Sequence, residues 1–441
     1  MEAVLKTALL GSIAAGRLAV MCGAGLSMAK PSTLPSAKKV SQICFDRIRA
    51  RIEPTIDPAI RDDLEAVAEW ARHNIDFKPV FVSTIVPWEM FYTPPNRGHE
   101  AIADFVITKA AAACLTANYD IHVERCGWNW GSQFITALDG AEATATIGQS
   151  PYLKFHGCGV RDKPHTVWTA SQFVDDADVI ARKTSCETWI QTNLQQKDLL
   201  FVGFWSDWSY LNKAISDSFN TSHPRSIVLI DPCDSAVLQA KAPELWALAH
   251  QAGVTFTHVQ ESGDTFLAEL RTHFSEAFLR ELLRIGSEAF ASNRPGVPID
   301  ASWQNVAPLS NDELYSWRRD AEGRTAREPA VRIIPDISTE SAALAHILLR
   351  SQGWVQHGIG YRKDSKSVRV INAAGRFLDA TKANFSEAPA VIGADIVVCA
   401  GATDLGVPGD IVRDSDPANV VRGGSSSRWL DLPTAIRELQ L

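Results

Sequence analysis

A short apolar strand that runs straight into a glycine-rich loop is the feature that most constrains the fold. Residues 17–22 are mostly apolar, and Gly23-Ala24-Gly25 follow at once, with Ser27 two positions later. Glycines at this point let a phosphate approach backbone N–H groups, and a serine can cap the following helix or bind oxygen. A strand followed by such a loop is typical of a nucleotide-binding α/β unit. A lone G-x-G is as often a plain strand–helix turn, so a nucleotide-binding site needs the support of other motifs.

Further apolar segments predict the rest of a parallel sheet. Residues 199–204 and 226–230 are continuous apolar runs, which is typical of strands buried on both faces of the sheet. Other predicted strands are 114–116, 151–155 and 253–256. Between the first two strands, residues 36–110 have helical patterns. They predict a helical insertion that forms a small module or flap over the ligand.

The remainder of the chain predicts a second, smaller domain. Residues 291–330 are rich in proline and charge and are interpreted as a linker. Beyond them, a helix near 338–350 and three strand patterns predict a C-terminal α+β domain. The predicted organisation is therefore a catalytic domain over 1–290, a linker over 291–330 and a C-terminal domain over 331–441.

Composition excludes several classes of protein. A net charge of −8 argues against a protein that mainly coats nucleic acid. No run of 18 apolar residues occurs, and the N-terminus lacks a basic-then-apolar signal layout, so we expect a cytoplasmic protein without a membrane span. None of the eight cysteines is spaced as C-x-x-C. Buried free thiols are favoured over a zinc site.

Polar residues follow the second predicted strand at alternate positions. Thr116, Asn118 and Asp120 share one face if this segment is extended. Asn118 can hydrogen-bond a ribose hydroxyl, a carboxamide or a positioned water, and Asp120 suits a scaffold acceptor that locks the loop. The alternative interpretation is an Asx-rich turn after a strand.

Later strand ends carry further candidate residues. His156 follows an apolar strand, and its neutral imidazole can accept a proton from a ribose hydroxyl. Without the glycine loop and the Thr116/Asn118/Asp120 segment, a satisfied, half-buried histidine would be the favoured interpretation. Because Asn118 and His156 both follow strand ends, we expect alanine at either position to leave the fold intact. Gly203 and Ser206 end another strand. Asp231 either binds an adenosine ribose or caps a turn before proline.

In order and approximate spacing, these motifs resemble the sirtuin superfamily over roughly residues 10–275. The resemblance implies a Rossmann-like NAD site in which the glycine loop contacts the pyrophosphate, the asparagine lies by the nicotinamide ribose and the histidine is the base. The matching positions are Gly23, Gly25, Ser27, Asn118, Asp120 and His156. Ala24, Thr116, Gly203, Ser206 and Asp231 are additional candidate NAD contacts.

The chain departs from the sirtuin deacylases at two places. Sirtuin deacylases carry Pro-Asp-Phe-Arg after the glycine loop, where this chain has Met28-Ala29-Lys30-Pro31-Ser32, and they carry two zinc-binding cysteine pairs that are missing here. The chain looks more like the divergent sirtuin-like branch, whose members include NAD-hydrolysing effectors of bacterial anti-phage defence. Some of these work with a HerA-type ATPase hexamer, and others with short Argonaute proteins.

The leading hypothesis is therefore an NAD glycohydrolase that cleaves its substrate NAD to nicotinamide and ADP-ribose, as a regulated effector of abortive infection. It needs no zinc. The alternatives are an NAD-dependent protein deacylase and a non-catalytic module that senses NAD or ADP-ribose. The resemblance implies a homo-oligomer with a HerA-type or Argonaute partner. It would meet nucleic acid only through that partner and would not bind a membrane. The C-terminal domain is the candidate for assembly or control.

Overall fold

Two compact units, Met1–Leu270 and Arg271–Leu441, make up the chain. The computed structural model describes residues 1–204, 209–325, 328, 330, 333–385, 394–403 and 427–441. The boundary between the units falls inside one long helix, Gly263–Asn293. The division into domains at 290 and 331 stays a prediction.

The first unit is built on a six-stranded sheet. Its strands are β1 (Leu18–Cys22), β2 (Ala113–Thr116), β3 (Tyr152–Lys154), β4 (Asp198–Val202), β5 (Ser226–Ile230) and β6 (Thr255–Val259). All are parallel and lie in the order β3-β2-β1-β4-β5-β6. This is the strand order of a Rossmann fold, whose ligands bind where the order reverses, between β1 and β4. The predicted fold class is confirmed.

Helices cover both faces of this sheet, as its buried strands require. The helices along this part of the chain are α1 (Ala3–Ala14), α2 (Ala24–Met28), α3 (Ala37–Arg51), α4 (Leu64–Asn74), α5 (Arg97–Ile107), α6 (His122–Asn129), α7 (Gly140–Ala145), α8 (Gln172–Asp175), α9 (Ala177–Asn193), α10 (Ser209–Asn220), α11 (Ser235–Lys241), α12 (Pro243–Ala249) and α13 (Gly263–Asn293). Of these, α3 and α4 lie in the insertion between β1 and β2, and α13 continues into the second unit. One large apolar core joins the sheet to α9, α10 and α12, with Trp189, Phe201 and Leu245 among its buried side chains.

The predicted helical insertion is present between β1 and β2. It contains α3, α4, a π-helix over Phe77–Ile85 and a short 3₁₀ helix over Trp88–Phe91 before α5. Ser36 caps α3, accepting a hydrogen bond from the N–H of Lys39 at 3.3 Å. The insertion has an apolar core of its own, and that core includes Tyr119 from the segment after β2. It therefore helps to fix the loop that carries Asn118 and Asp120.

The second unit is a smaller α+β structure, as predicted. Its strands are β7 (Val355–His357), β8 (Gly360–Lys363), β9 (Lys366–Asn372), β10 (Ile396–Ala400) and β11 (Arg428–Asp431), and its helices after α13 are α14 (Asn311–Glu322), α15 (Glu340–Ser351), α16 (Leu378–Phe385) and α17 (Leu432–Leu439). The strand order is β11-β10-β9-β8-β7. β9, β10 and β11 are parallel, whereas β7, β8 and β9 form an antiparallel meander.

Part of the predicted linker is folded. Residues 291–330 contain α14, whose side chains Leu314, Trp317 and Ala321 are buried in an apolar cluster of the second unit. Ser310 and Glu313 form a capping box at the start of this helix. The charged residues that indicated a linker belong to this helix, and Arg318, Arg319, Asp320 and Glu322 are buried together with its apolar side chains.

Candidate functional site

The loops that follow β1 and β4 touch each other where the strand order reverses. The N–H of Gly25 donates to the carbonyl oxygen of Gly203 at 2.9 Å. A Cβ atom on Gly25 would lie 2.8 Å from that oxygen, and one on Gly203 would lie 2.5 Å from the nitrogen of Leu26. Gly203 also has a φ of 56°, which favours glycine. Both glycines are needed for the close approach of the two loops.

This packing uses most of the backbone donors that the sequence assigned to a phosphate. The N–H groups of Gly23, Gly25 and Leu26 donate to the carbonyl oxygens of Val202, Gly203 and Gly23, respectively. Ala24 begins α2, and its N–H has no partner among the described residues. Ala24 and Gly25 are exposed, so this edge of the loop is open to a ligand.

Ser27 is the centre of a buried hydrogen-bond network. Its hydroxyl donates to Oδ2 of Asp120 at 3.0 Å and accepts from Nδ2 of Asn118 at 3.2 Å. Nε2 of His99 lies 3.0 Å from the same hydroxyl. The predicted capping role of Ser27 is wrong, because α2 starts directly at Ala24 with Gly23 as its N-cap. The serine instead joins the glycine loop to the segment after β2.

The tautomer of His99 follows from its two neighbours. The N–H of Asn96 donates to Nδ1 of His99 at 3.1 Å, so this nitrogen carries no proton. Burial lowers the pKa of His99 to about 4, so the ring is neutral and carries its proton on Nε2. The N–H of Nε2 donates a hydrogen bond to the hydroxyl of Ser27, and that hydroxyl donates to Asp120. Every hydrogen-bonding position of the serine hydroxyl is thus occupied.

Asn118 is held in one orientation. Nδ2 donates to the carbonyl oxygen of Gly23 and to the hydroxyl of Ser27, both at 3.2 Å. The backbone N–H of Asn118 donates to Oγ1 of Thr116 at 3.0 Å. The carbonyl oxygen of Gly23 can pair only with the amide nitrogen of Asn118, so Oδ1 is left as an acceptor. Asn118 is half-buried, and Oδ1 has no partner among the described residues.

Asp120 acts as the scaffold of the same loop. Its Oδ2 accepts from Ser27, and its Oδ1 accepts from the backbone N–H of His122 at 3.1 Å. Burial acts to raise the pKa of Asp120, but His122, His99 and Lys154 outweigh it, and the pKa lies below its usual value. The carboxylate is therefore ionised and fixed.

A buried ion pair beneath this loop was not identified from the sequence. Nζ of Lys154, on β3, lies 2.8 Å from Oε1 of Glu124 on α6, and neither side chain is more than 3% exposed. Nζ also donates to the backbone carbonyl oxygen of Asp120. Lysine is seldom fully buried, so its residue type gave no indication of this pair. The pair anchors the segment between Asp120 and Glu124 to β3.

His156 is completely buried, which the sequence did not predict. Its ring stacks on Tyr119 with centroids 6.2 Å apart and also packs against Phe155 and Phe173. Burial, and then the charge of Arg182, lower its pKa to about 3, so the imidazole is neutral. Its position after a strand did not indicate this burial, and alanine here would open a cavity among these rings, which should lower the stability of the fold.

Two buried neutral histidines predict a pH dependence of stability. His99 and His156 have a pKa of about 4 and about 3 in the fold, against ~6.5 in an unfolded chain. The unfolded state therefore binds more protons below ~6.5, so the free energy of unfolding should fall as pH drops from about 7 to 5. Urea midpoints of the full chain measured across this range test the expectation.

Matched variants show whether the buried rings cause the effect. His156→Gln should make the fall shallower, because one of the proton-excluding groups is gone. His73 has a side chain that is 69% exposed, so His73→Gln should leave the slope unchanged. A midpoint that stays constant from pH 7 to 5 would contradict the prediction.

Other sequence-predicted residues lie at neighbouring strand ends. Thr116 ends β2 and is fully buried. Asp231 follows β5 and is half-buried, and its Oδ1 accepts from the N–H of Cys233 at 2.8 Å, which is a turn cap. Ser206 lies outside the described residues. His99, His122 and Lys154 were missed; the spacing of Asn96 and His99 at a helix start was the one local signal for His99.

The cysteines do not assemble into a group. All eight are free thiols, and all but Cys233 are buried. Among the residues that the structure describes, no three His, Cys, Asp or Glu side chains converge as metal ligands. The absence of zinc stays a prediction. In the same part of the chain, no helix is long and apolar enough to cross a bilayer.

Comparison with protein families gives one match. Residues 112–252 match the model of the SIR2-like domain. This segment begins one residue before β2 and includes Thr116, Asn118, Asp120, His156 and Gly203, whereas the glycine loop after β1 lies outside it. None of the curated proteins compared with the chain matches it.

Several solved structures show weak similarity. A Sir2 homologue in complex with NAD is 16% identical, with a TM-score of 0.30, over 60% of this chain and 93% of that chain. A mutant Sir2 homologue in complex with ADP-ribose is 18% identical, with a TM-score of 0.33, over 62% of this chain and 96% of that chain. Scores this low carry no weight for the activity, which must be argued from the residues themselves.

Proposed function

We propose that the first unit binds NAD and hydrolyses the bond between its nicotinamide and ribose, giving nicotinamide and ADP-ribose. The observation that carries the proposal is the network in which Ser27 joins Asn118 and Asp120. It lies at the carboxyl ends of β1 and β2, beside the reversal of strand order where Rossmann folds bind their ligands. The match of residues 112–252 to the SIR2-like domain supports the choice of NAD.

Asn118 would position the reacting groups. Its Nδ2 hydrogens are used by Gly23 and Ser27, so Oδ1 can accept from a water or from a ribose hydroxyl. In the reaction, the oxygen of water bonds to C1′ of the ribose as the bond from C1′ to the pyridinium nitrogen breaks. The bonding electrons neutralise the pyridinium and release nicotinamide. Because this leaving group is already cationic, positioning and electrostatics can supply most of the rate.

His156 is the proposed acceptor for the proton that the water or ribose hydroxyl loses. The neutral ring that burial enforces is the form that can accept a proton. A pKa of about 3 makes His156 a weak base while its ring packs against Tyr119 and Phe173. We infer that a bound ribose hydroxyl replaces part of the apolar contact around the His156 ring and thereby raises the pKa of His156.

The test is to incubate the protein with NAD alone and to separate the products by chromatography. We expect equal amounts of nicotinamide and ADP-ribose, with no acylated peptide present. Nicotinamide that appears only with an acetyl-lysine peptide would favour the deacylase. NAD or ADP-ribose that binds without turnover would favour the sensing module.

We further propose that this activity serves anti-phage defence by abortive infection, in the cytoplasm. The resemblance of the motifs to the divergent sirtuin-like branch supports this role, and so does a separate second unit in the same chain. Uncontrolled loss of NAD is lethal, so the second unit would govern assembly. We propose a homo-oligomer that works with a HerA-type ATPase hexamer, or with a short Argonaute, and meets nucleic acid only through that partner.

A further inference from the structure

A cleft of about 530 Å³ opens beside the candidate site, between α6, α7 and the loop after His156. Its volume lies in the range of small-molecule sites, which is about 300–1,000 Å³. Apolar side chains form its walls: Trp128, Phe134, Ile135 and Val160. Trp128 is 49% exposed and Val160 is 53% exposed, so large apolar surfaces here face solvent.

One carboxylate oxygen at this cleft is unsatisfied. Glu124 lines the cleft and is only 2% exposed. Its Oε1 accepts from Nζ of Lys154 at 2.8 Å and from Oγ1 of Thr136 at 3.0 Å. Its Oε2 is buried and has no hydrogen-bond partner in the described parts of the chain. A buried carboxylate oxygen without a donor is unfavourable, so a donor from a bound molecule would stabilise it.

Lys154 is not free to fill this position. Its ammonium already meets three acceptors: the carbonyl oxygen of Asp120, Oε1 of Glu124 and, at 3.8 Å, Sγ of Cys158. An ammonium has three hydrogens, so all of them are used. The missing donor for Oε2 must therefore come from outside this cluster.

The charges around the cleft favour a cation. Lys154 contributes +1, while Glu124 and Asp120 contribute −1 each, so these three buried groups sum to −1. The nearby rings of His99 and His122 are neutral, since burial lowers the pKa of both. At the rim, Arg161 pairs with both carboxylate oxygens of Glu142, at 2.5 and 2.9 Å, and adds no net charge.

We propose that this cleft binds a small organic cation, namely a protonated primary amine on an aromatic or branched apolar body. The ammonium would donate to Oε2 of Glu124, and the body would lie against Trp128 and Val160. A tryptophan face also attracts an ammonium, which adds to the preference for a cation over a neutral molecule of the same shape.

The cleft shares its walls with the loops of the candidate site. Ile121 and Glu124 line it one and four positions after Asp120, and Cys158 and Val160 line it two and four positions after His156. Lys154 bonds both Glu124 and the backbone of Asp120. A bound amine would thus act on the position of Asp120, an effect on turnover that rests on the proposed function.

Isothermal titration calorimetry of the full chain with benzylamine at pH 7 tests the binding itself, whatever the activity. Benzyl alcohol is the neutral control of the same size. We expect benzylamine to bind at least fivefold more tightly than benzyl alcohol. Equal affinity for benzylamine and benzyl alcohol, or no detectable binding of benzylamine at about 10 mM, would overturn the proposal.

Two variants assign the binding to this cleft. Trp128→Ala removes a half-exposed wall without disturbing the core, and it should weaken benzylamine binding at least fivefold. Ile147 is 87% exposed and does not line the cleft, so Ile147→Ala should bind like the unchanged chain. If Trp128→Ala binds benzylamine as well as Ile147→Ala does, the cleft is not the site. NAD hydrolysis plays no part in these readouts, so failure of the proposed function would not mimic either result.

Discussion

Asn118→Ala should lower the rate of NAD hydrolysis by about 10²-fold or more, because it removes the acceptor that positions the water or ribose hydroxyl. The variant also loses two hydrogen bonds, to Gly23 and Ser27. We expect this loss to cost about 1–3 kcal/mol of unfolding free energy, which leaves the protein folded. The measurement is nicotinamide release at saturating NAD, together with a urea unfolding curve.

The control for this variant is a second asparagine in the same region. Asn129 ends α6 and is exposed, so Asn129→Ala should keep the full rate. His156→Gln, which keeps a polar side chain of similar volume, should also lower turnover while avoiding the cavity of an alanine. An Asn118→Ala protein that retains a third or more of the turnover would remove Asn118 from the mechanism.

Lys154→Met should destabilise the first unit by about 3–5 kcal/mol, because it leaves Glu124 buried without its cationic partner. The same change breaks the bond from Nζ to the carbonyl oxygen of Asp120. The expected result is a large fall in the urea midpoint followed by circular dichroism, with a loss of NAD binding that follows the loss of fold.

Two comparisons test whether the unpaired buried charge of Glu124 causes the loss of stability in Lys154→Met. Lys154→Met combined with Glu124→Leu should recover much of the stability, since the unpaired carboxylate is then gone. Arg61 forms a pair with Asp46 in which the side chains are 40% and 55% exposed, so Arg61→Ala should lower the urea midpoint far less than Lys154→Met does. Equal effects of Lys154→Met and Arg61→Ala would show that burial does not strengthen the pair.

The strands were the part of the fold best predicted from sequence. Residues 226–230 form β5 with the predicted bounds, because a strand covered on both faces must be apolar along its whole length. Residues 353–363 contain β7 and β8, which form a tight hairpin. Its turn contains Gly358, which has a φ of 55°. Periodicity alone does not reveal such a reversal.

The candidate site was predicted less completely, because its contacts join distant parts of the chain. His99 reaches Ser27 across 72 positions, and Lys154 reaches Glu124 across 30. Neither contact leaves a local pattern. The sequence singled out the glycines as phosphate contacts, which stays a prediction, whereas the structure shows a different reason for them, which is the packing of Gly25 against Gly203. The burial of His156 depends on aromatic rings that the sequence places in separate segments.

The position of β1 at the centre of its sheet has a consequence for synthesis on the ribosome. Its register pairs Ala19 with Ala113 on one side and Leu18 with Asp198 on the other, 180 positions later along the chain. At ~5–20 residues per second, β1 waits about 10–40 s for the second neighbour to emerge. Such distant pairing also raises contact order and slows folding. During this interval the nascent chain exposes an apolar edge, so its yield in cells should depend on chaperones that bind early.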